Sequence, residues 1–119
     1  MLGIIGAMDE EVAMIKAQLT DVQVETRAAM DFYKGKLEGK EVVVVRSGIG
    51  KVNAAMCTQI LADIYGVTGV VNTGIAGSLK AEIDIGDIVL SSDAVQHDMD
   101  ATGFGYEPGQ IPRVETLEI

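Results

Sequence analysis

The chain has 119 residues, enough for one domain of ordinary size at most, and its apolar fraction of 48% is ample for a core. A net charge of -9 argues against nucleic acid or an anionic membrane surface as partner, since both require clustered Lys and Arg. Cys57 is the single cysteine and His97 the single histidine, so neither an internal disulfide nor a Cys/His metal cluster is available.

Leu2 to Ile5 reads as a short buried strand that runs through Gly6 into Ala7, Met8, Asp9, Glu10 and Glu11. The spacing predicts a helix from about Asp9 to Leu19, with Val12, Ile15 and Leu19 on one stripe and Asp9 as N-cap. Glu11 shares that stripe, because it lies one turn before Ile15, whereas Asp9 and Glu10 fall on other faces. An inward carboxylate at the carboxyl end of a sheet strand is a candidate base or water-holder. The alternative is a helix start whose acids only answer the dipole.

Strands are expected near Val22 to Thr26 and Phe32 to Leu37, the second closed by the turn signal Glu38-Gly39. Val42 to Val45 is an unbroken β-branched run, the mark of a strand buried on both faces. A second helix spans about Val52 to Tyr65, with Val52, Met56, Ile60 and Ile64 as its apolar stripe and Gly66 as its stop. Cys57 on that helix reads as a buried thiol of a reducing cytosol rather than a nucleophile. Val67 to Asn72 and Ile88 to Val95 read as further strands, the first of them buried. From Gln96 onward the glycines and prolines, Pro112 last among them, punctuate a loop. No basic n-region precedes Asp9, so no signal peptide is expected, and no apolar run is long enough to cross a bilayer. Strand–helix alternation with apolar strands implies a largely parallel sheet with helices on its faces.

Three strands end in glycine turns: Gly6 with Met8 and Glu11, Ser47-Gly48-Ile49-Gly50, and Asn72-Thr73-Gly74-Ile75-Ala76-Gly77. Such turns let a ligand approach the backbone closely, although glycines also serve turns alone. Gly48-Ile49-Gly50-Lys51-Val52-Asn53 lacks the third glycine of a dinucleotide fingerprint, and Gly50-Lys51 lacks the loop of an NTPase. The expected ligand is therefore a neutral or weakly polar small molecule, walled by Met8, Ile49 and Ile75. Core packing of those three side chains is the competing reading.

These residues carry a resemblance. GIIGAMDEEV at Gly3 to Val12, SGIGKVNAA at Ser47 to Ala55, NTGIAGSL at Asn72 to Leu79, IGDIVLSSDA at Ile85 to Ala94 and HDMDATGFGYEPGQIP at His97 to Pro112 follow one another in order. Together they resemble the amino-terminal half of the bacterial 5′-methylthioadenosine/S-adenosylhomocysteine nucleosidases, a family of the nucleoside phosphorylase superfamily. The resemblance implies a three-layer α/β/α fold around a central mixed, mostly parallel sheet, present over residues 1–119 as one partial domain without its carboxyl-terminal part. It implies hydrolysis of the bond between adenine and an alkylthio-ribose through an oxocarbenium-like transition state, as in methionine salvage.

By the same resemblance, Glu11 holds and activates the attacking water. Met8 lines the ribose region, Ile49 the alkylthio side, and the Ile75-Ala76-Gly77 turn the adenine and ribose. The family often has Ser where this chain has Ile75, which removes one hydroxyl. Phe104 and Pro112 match residues that cap the partner's pocket across a homodimer interface, and Ala101 stands at another capping position. Phe104 as a loop anchor within its own subunit is the competing reading. His97 and Asp98 are assigned structural roles in the loop. A cytoplasmic enzyme with a nucleoside substrate and neither metal nor organic cofactor is implied.

Related phosphorylases present Arg to phosphate near these turns, whereas this chain has Met8-Asp9-Glu10-Glu11 and Asn72-Thr73 there, which favours water over phosphate. The family's later motifs, a glutamate for the ribose hydroxyls and an aspartate that protonates the purine, have no counterpart up to Ile119. The chain alone is therefore expected to be nearly inactive, with an exposed sheet edge. Another purine nucleoside hydrolase, such as a futalosine hydrolase, and a non-catalytic fragment that only binds adenine nucleosides are the alternatives.

Overall fold

The computed structural model describes residues 1–114, and the last positions of the domain expected over residues 1–119 lie outside them. The chain falls into two compact units, Met1–Gly77 and a second from Ser78 onward.

The first unit contains β1 (Leu2–Gly6), α1 (Asp9–Ala17), β2 (Thr20–Arg27), β3 (Met30–Leu37), β4 (Lys40–Arg46), α2 (Lys51–Asp63) and β5 (Gly69–Asn72). The sheet order is β2-β3-β4-β1-β5. Two-residue links make β2, β3 and β4 an antiparallel meander, with Arg27 paired to Met30 and Leu37 to Lys40. Both links hold two consecutive residues at positive φ, Ala28-Ala29 at 49° and 60° and Glu38-Gly39 at 48° and 78°. That is the conformation whose twist matches a tight hairpin. Ala28-Ala29 adopts it without glycine or asparagine, so composition offers no signal of that turn. Helical crossovers, in contrast, make β1 parallel to both β4 and β5. The sheet is therefore mixed, as expected.

The pleat sorts the strand residues between two helices. Ile4, Val42 and Val44 pack with Val12 of α1 on one face, and Ile5, Met30, Phe32, Val43 and Val45 pack with Cys57 and Leu61 of α2 on the other. This is the expected helix–sheet–helix layering. Leu61 sits so close to β1 that a methyl on Gly3 would lie 2.9 Å from its Cδ1. Tyr65, just past α2, stacks on Phe32 with ring centroids 5.2 Å apart.

Five expectations are corrected. The buried side of α2 is Cys57 and Leu61, while Val52 is 81% exposed and Met56 and Ile64 are exposed too. Only the Ile60 member of the expected stripe packs against the core. β5 is not buried, since it is the last strand of the sheet and both Val70 and Val71 are exposed. Ile88 to Val95 forms no strand, since no segment pairs with it among the described residues, and Ile88 and Leu90 stand in solvent. The N-cap of α1 is Met8 rather than Asp9, and the helix ends at Ala17 rather than Leu19.

The second unit is built of turns around a single helical turn at Thr102–Phe104. The Asp100 carboxylate accepts from the Thr102 amide at 3.0 Å and its hydroxyl at 2.7 Å, an Asx-type start to that turn. The Gly109 amide donates to the Met99 carbonyl at 2.9 Å and closes the loop. Gly109 holds φ at +83°, and a methyl there would lie 2.6 Å from Val95 Cγ2.

Candidate functional site

β4, β1 and β5 are neighbours and parallel, so their carboxyl ends lie side by side, with Gly6 opposite Arg46 and Ile5 opposite Asn72. The glycine turns that follow them consequently start together at one edge of the sheet. Hydrogen bonds tie them to β1. The Ser47 amide donates to the Gly6 carbonyl at 2.9 Å and the Thr73 amide to the Ile5 carbonyl at 2.8 Å. Ser47, buried, also donates its hydroxyl to the Gly48 carbonyl at 2.8 Å. Asn53 Nδ2 donates to the Ile49 carbonyl at 2.8 Å and braces the second turn from α2. Sequence reasoning passes over Ser47, Thr73 and Asn53, because nothing local distinguishes such tethers from ordinary turn residues.

Glu11 joins the first and third of these turns. Its Oε2 accepts from the Ala7 amide at 2.7 Å and the Met8 amide at 3.0 Å, and its Oε1 accepts from the Ile75 amide at 3.3 Å. The carboxylate thus satisfies orphan donors at the start of α1 and one in the turn after β5. Asp9 and Glu10 are exposed and Glu11 is half-buried. The two readings of this acid coincide: Glu11 caps its own helix and also faces the crevice. The Met8 amide foremost, then those of Ile75 and Ala7, hold the carboxyl below the usual glutamate value, while partial burial opposes them. Glu11 is therefore an anion at neutral pH.

Close packing leaves no room for side chains around it. A methyl on Gly6 would lie 2.7 Å from Val12 Cγ1 and 3.1 Å from Glu11 Cβ. A methyl on Gly74 would lie 2.5 Å from Glu11 Oε1. Arg46, at the end of β4, does not offer a bare cation to an anionic ligand, since its Nε lies 3.4 Å from Asp9 Oδ1. Lys16 lies 3.9 Å from the same Asp9 oxygen.

Met8 is half-buried, while Ile49 is 74% and Ile75 85% exposed. Core packing of the two isoleucines is thereby excluded. Ala76 and Gly77 are exposed in the same turn as Ile75. Ala101, Phe104 and Pro112 belong to the second unit. Within it Phe104 is 87% exposed, which rules out a loop anchor, and Pro112 is exposed, whereas Ala101 is buried. Among the described residues no group of three or more His, Cys, Asp or Glu side chains could hold a metal ion. Nor is any described helix long and apolar enough to cross a membrane. A groove at the amino ends of β1 and β4, lined by Met1, Leu2, Leu37 and Val42, lies at the opposite end of the strands from Glu11.

Known proteins share this architecture. The 5′-methylthioadenosine/S-adenosylhomocysteine nucleosidase of Marinomonas sp. (strain MWYL1) is 52% identical over 114 residues, which are 96% of this chain and 49% of the relative. The crystal structure of the corresponding enzyme of Colwellia psychrerythraea 34H, in complex with adenine, superposes with a TM-score of 0.92 at 53% identity. That match covers 93% of this chain and 46% of the solved one. Futalosine hydrolase of Helicobacter pylori strain 26695 superposes with a TM-score of 0.91 at 34% identity, covering 99% of this chain and 51% of that one. The chain spans about half the length of the curated relatives it matches. The phosphorylase superfamily model matches residues 1–118, and with the sheet, the helix layers and the glycine turns in agreement, the chain belongs to the phosphorylase superfamily.

Proposed function

We propose that this chain carries the water-activating half of a nucleosidase site that hydrolyses the N-glycosidic bond of 5′-methylthioadenosine and S-adenosylhomocysteine and releases adenine. The observation that carries the reading is the Glu11 carboxylate, held by three amides at the junction of two glycine turns. The names of relatives about half identical to this chain support the same substrates. In this reading water held by Glu11 attacks the anomeric carbon as the bond to the purine nitrogen breaks. Glu11 takes the water's proton, and an acid beyond residue 119 supplies one to the leaving purine. A carboxylate kept anionic by its amides is a weak base, yet its charge stabilises a sugar that becomes cationic in the transition state. Met8 and Ile49 wall the sugar and alkylthio sides, and Ile75, Ala76 and Gly77 border the purine.

The same reading makes the two units parts of one domain, in a cytoplasmic homodimer. The exposure of Phe104 and Pro112 supports their capping the pocket of a second copy. Exposed Ile49, with Phe104 and Pro112, favours an apolar alkylthio group over the more polar substituent of futalosine.

Adenine release in phosphate-free buffer tests the proposal, on the chain as given and on the chain extended to its relatives' length. The extended protein is expected to turn over methylthioadenosine without phosphate, and the 119-residue chain to be nearly inactive. A phosphate requirement would assign a phosphorylase, and preference for futalosine a futalosine hydrolase.

A further inference from the structure

Gly74 has no backbone reason to be glycine, since its φ lies outside the left-handed region where Gly48 and Gly50 sit at +85° and +100°. What a side chain at position 74 would meet first is Glu11. The three nearest atoms to a methyl there are Glu11 Oε1 at 2.5 Å, Cδ at 2.8 Å and Oε2 at 3.2 Å. Gly77, in the same turn, has nothing within 4 Å of such a methyl. The bare backbone at position 74 is therefore a berth for one carboxylate.

The carboxylate is loaded unevenly. Each of its oxygens has two acceptor positions. Oε2 fills both with the Ala7 and Met8 amides at 2.7 and 3.0 Å. Oε1 fills one, with the Ile75 amide at 3.3 Å, and among the described residues no second donor to it is seen. We infer that Gly74 is a positioning residue, and that by leaving space for the carboxylate across the third turn it makes Oε1 the oxygen that holds the attacking water. This rests on the nucleosidase reading for its chemistry, but the arrangement itself is testable without turnover. The chain's own fold supplies the berth from the turn after β5 and the acid from α1, and the β1–β5 ladder brings the two into register.

The test is an NMR pH titration of the 119-residue chain, following the Glu11 carboxyl carbon and the amides of Ala7, Met8 and Ile75. All four signals should move with one midpoint, below the usual glutamate value. In Gly74→Ala the Ile75 amide should stop following Glu11, the Ala7 and Met8 amides should still follow it, and the Glu11 midpoint should rise. In Glu11→Gln the step in the Ile75 amide should vanish. An Ile75 amide that ignores Glu11 in the unmodified chain overturns the inference even if Gly74→Ala fails to fold. So does a folded Gly74→Ala whose titrations match the unmodified chain. If the titrations behave as expected while the extended protein releases no adenine, the berth stands and the nucleosidase reading fails.

Discussion

The Ile75 amide donates to Glu11 Oε1 at 3.3 Å although 64 positions of sequence separate the two residues. The bond ties the acid to the turn that carries the exposed side chain of Ile75. Glu11→Gln keeps the side chain's size and an acceptor oxygen but removes the charge. In the chain extended to its relatives' length, on the nucleosidase reading, this change is expected to lower turnover by about two to four orders of magnitude. Binding of a non-hydrolysable nucleoside analogue should change little. Steady-state kinetics beside analogue titration measures the split, and undiminished turnover would take Glu11 out of the mechanism.

Acid should loosen the same junction. The Glu11 carboxyl is held below its usual value of 4.5 by the Met8, Ile75 and Ala7 amides. Glu25 is held down by the Arg27 side chain foremost and by the Tyr65 hydroxyl. A group with a lowered folded value contributes stability that is fully present above its unfolded value and is lost as pH falls through the folded one. Stability is expected to be level around neutrality and to fall from about pH 4.5 downward. Urea midpoints across pH 3 to 7 would show it, and a midpoint that rises on acidification would contradict it.

Core contributions separate the two sides of α2. Leu61 is fully buried against β1, so Leu61→Ala is expected to cost about 2–5 kcal/mol. Val52→Ala, on the exposed side, should stay within about 0.5 kcal/mol of the unmodified chain. Chemical denaturation of both variants gives the comparison. Equal losses would mean that the expected Val52, Met56, Ile60 and Ile64 stripe faces the core after all.

Cys57 is buried on the sheet side of α2, and desolvation pushes its thiol up to about 11. A neutral, enclosed thiol is a poor nucleophile. Alkylation by iodoacetamide at pH 8 should be negligible in the folded chain and rapid in urea, as mass spectrometry would record. Rapid labelling of the native chain would place the thiol at the surface.

Among the described residues no strand pairs with the outer side of β5, where Val70 and Val71 are exposed. Such an edge invites pairing with another strand. The 119-residue chain should associate as its concentration rises, and Val70→Lys should weaken that association in sedimentation velocity. A sharp monomer at high concentration would show that the edge is already satisfied.

Local chemistry alone was enough to read most elements. A period of two or of three to four residues, with Gly at the breaks, places β1, α1, β3, β4 and α2 to within a few positions, because short-range torsional and patterning preferences act within one element. The one-turn offset from Ile15 was enough to turn Glu11 inward, while Asp9 and Glu10 look outward. Other features belong to the tertiary structure. Which side of α2 is buried depends on where Gly3 leaves room for Leu61. β5 is exposed despite its valines because, among the described residues, only β1 flanks it in the sheet. The meeting of Glu11 with Gly74 and Ile75 depends on β1 pairing with β5, a choice of partner made by long-range packing rather than by the residues beside Glu11.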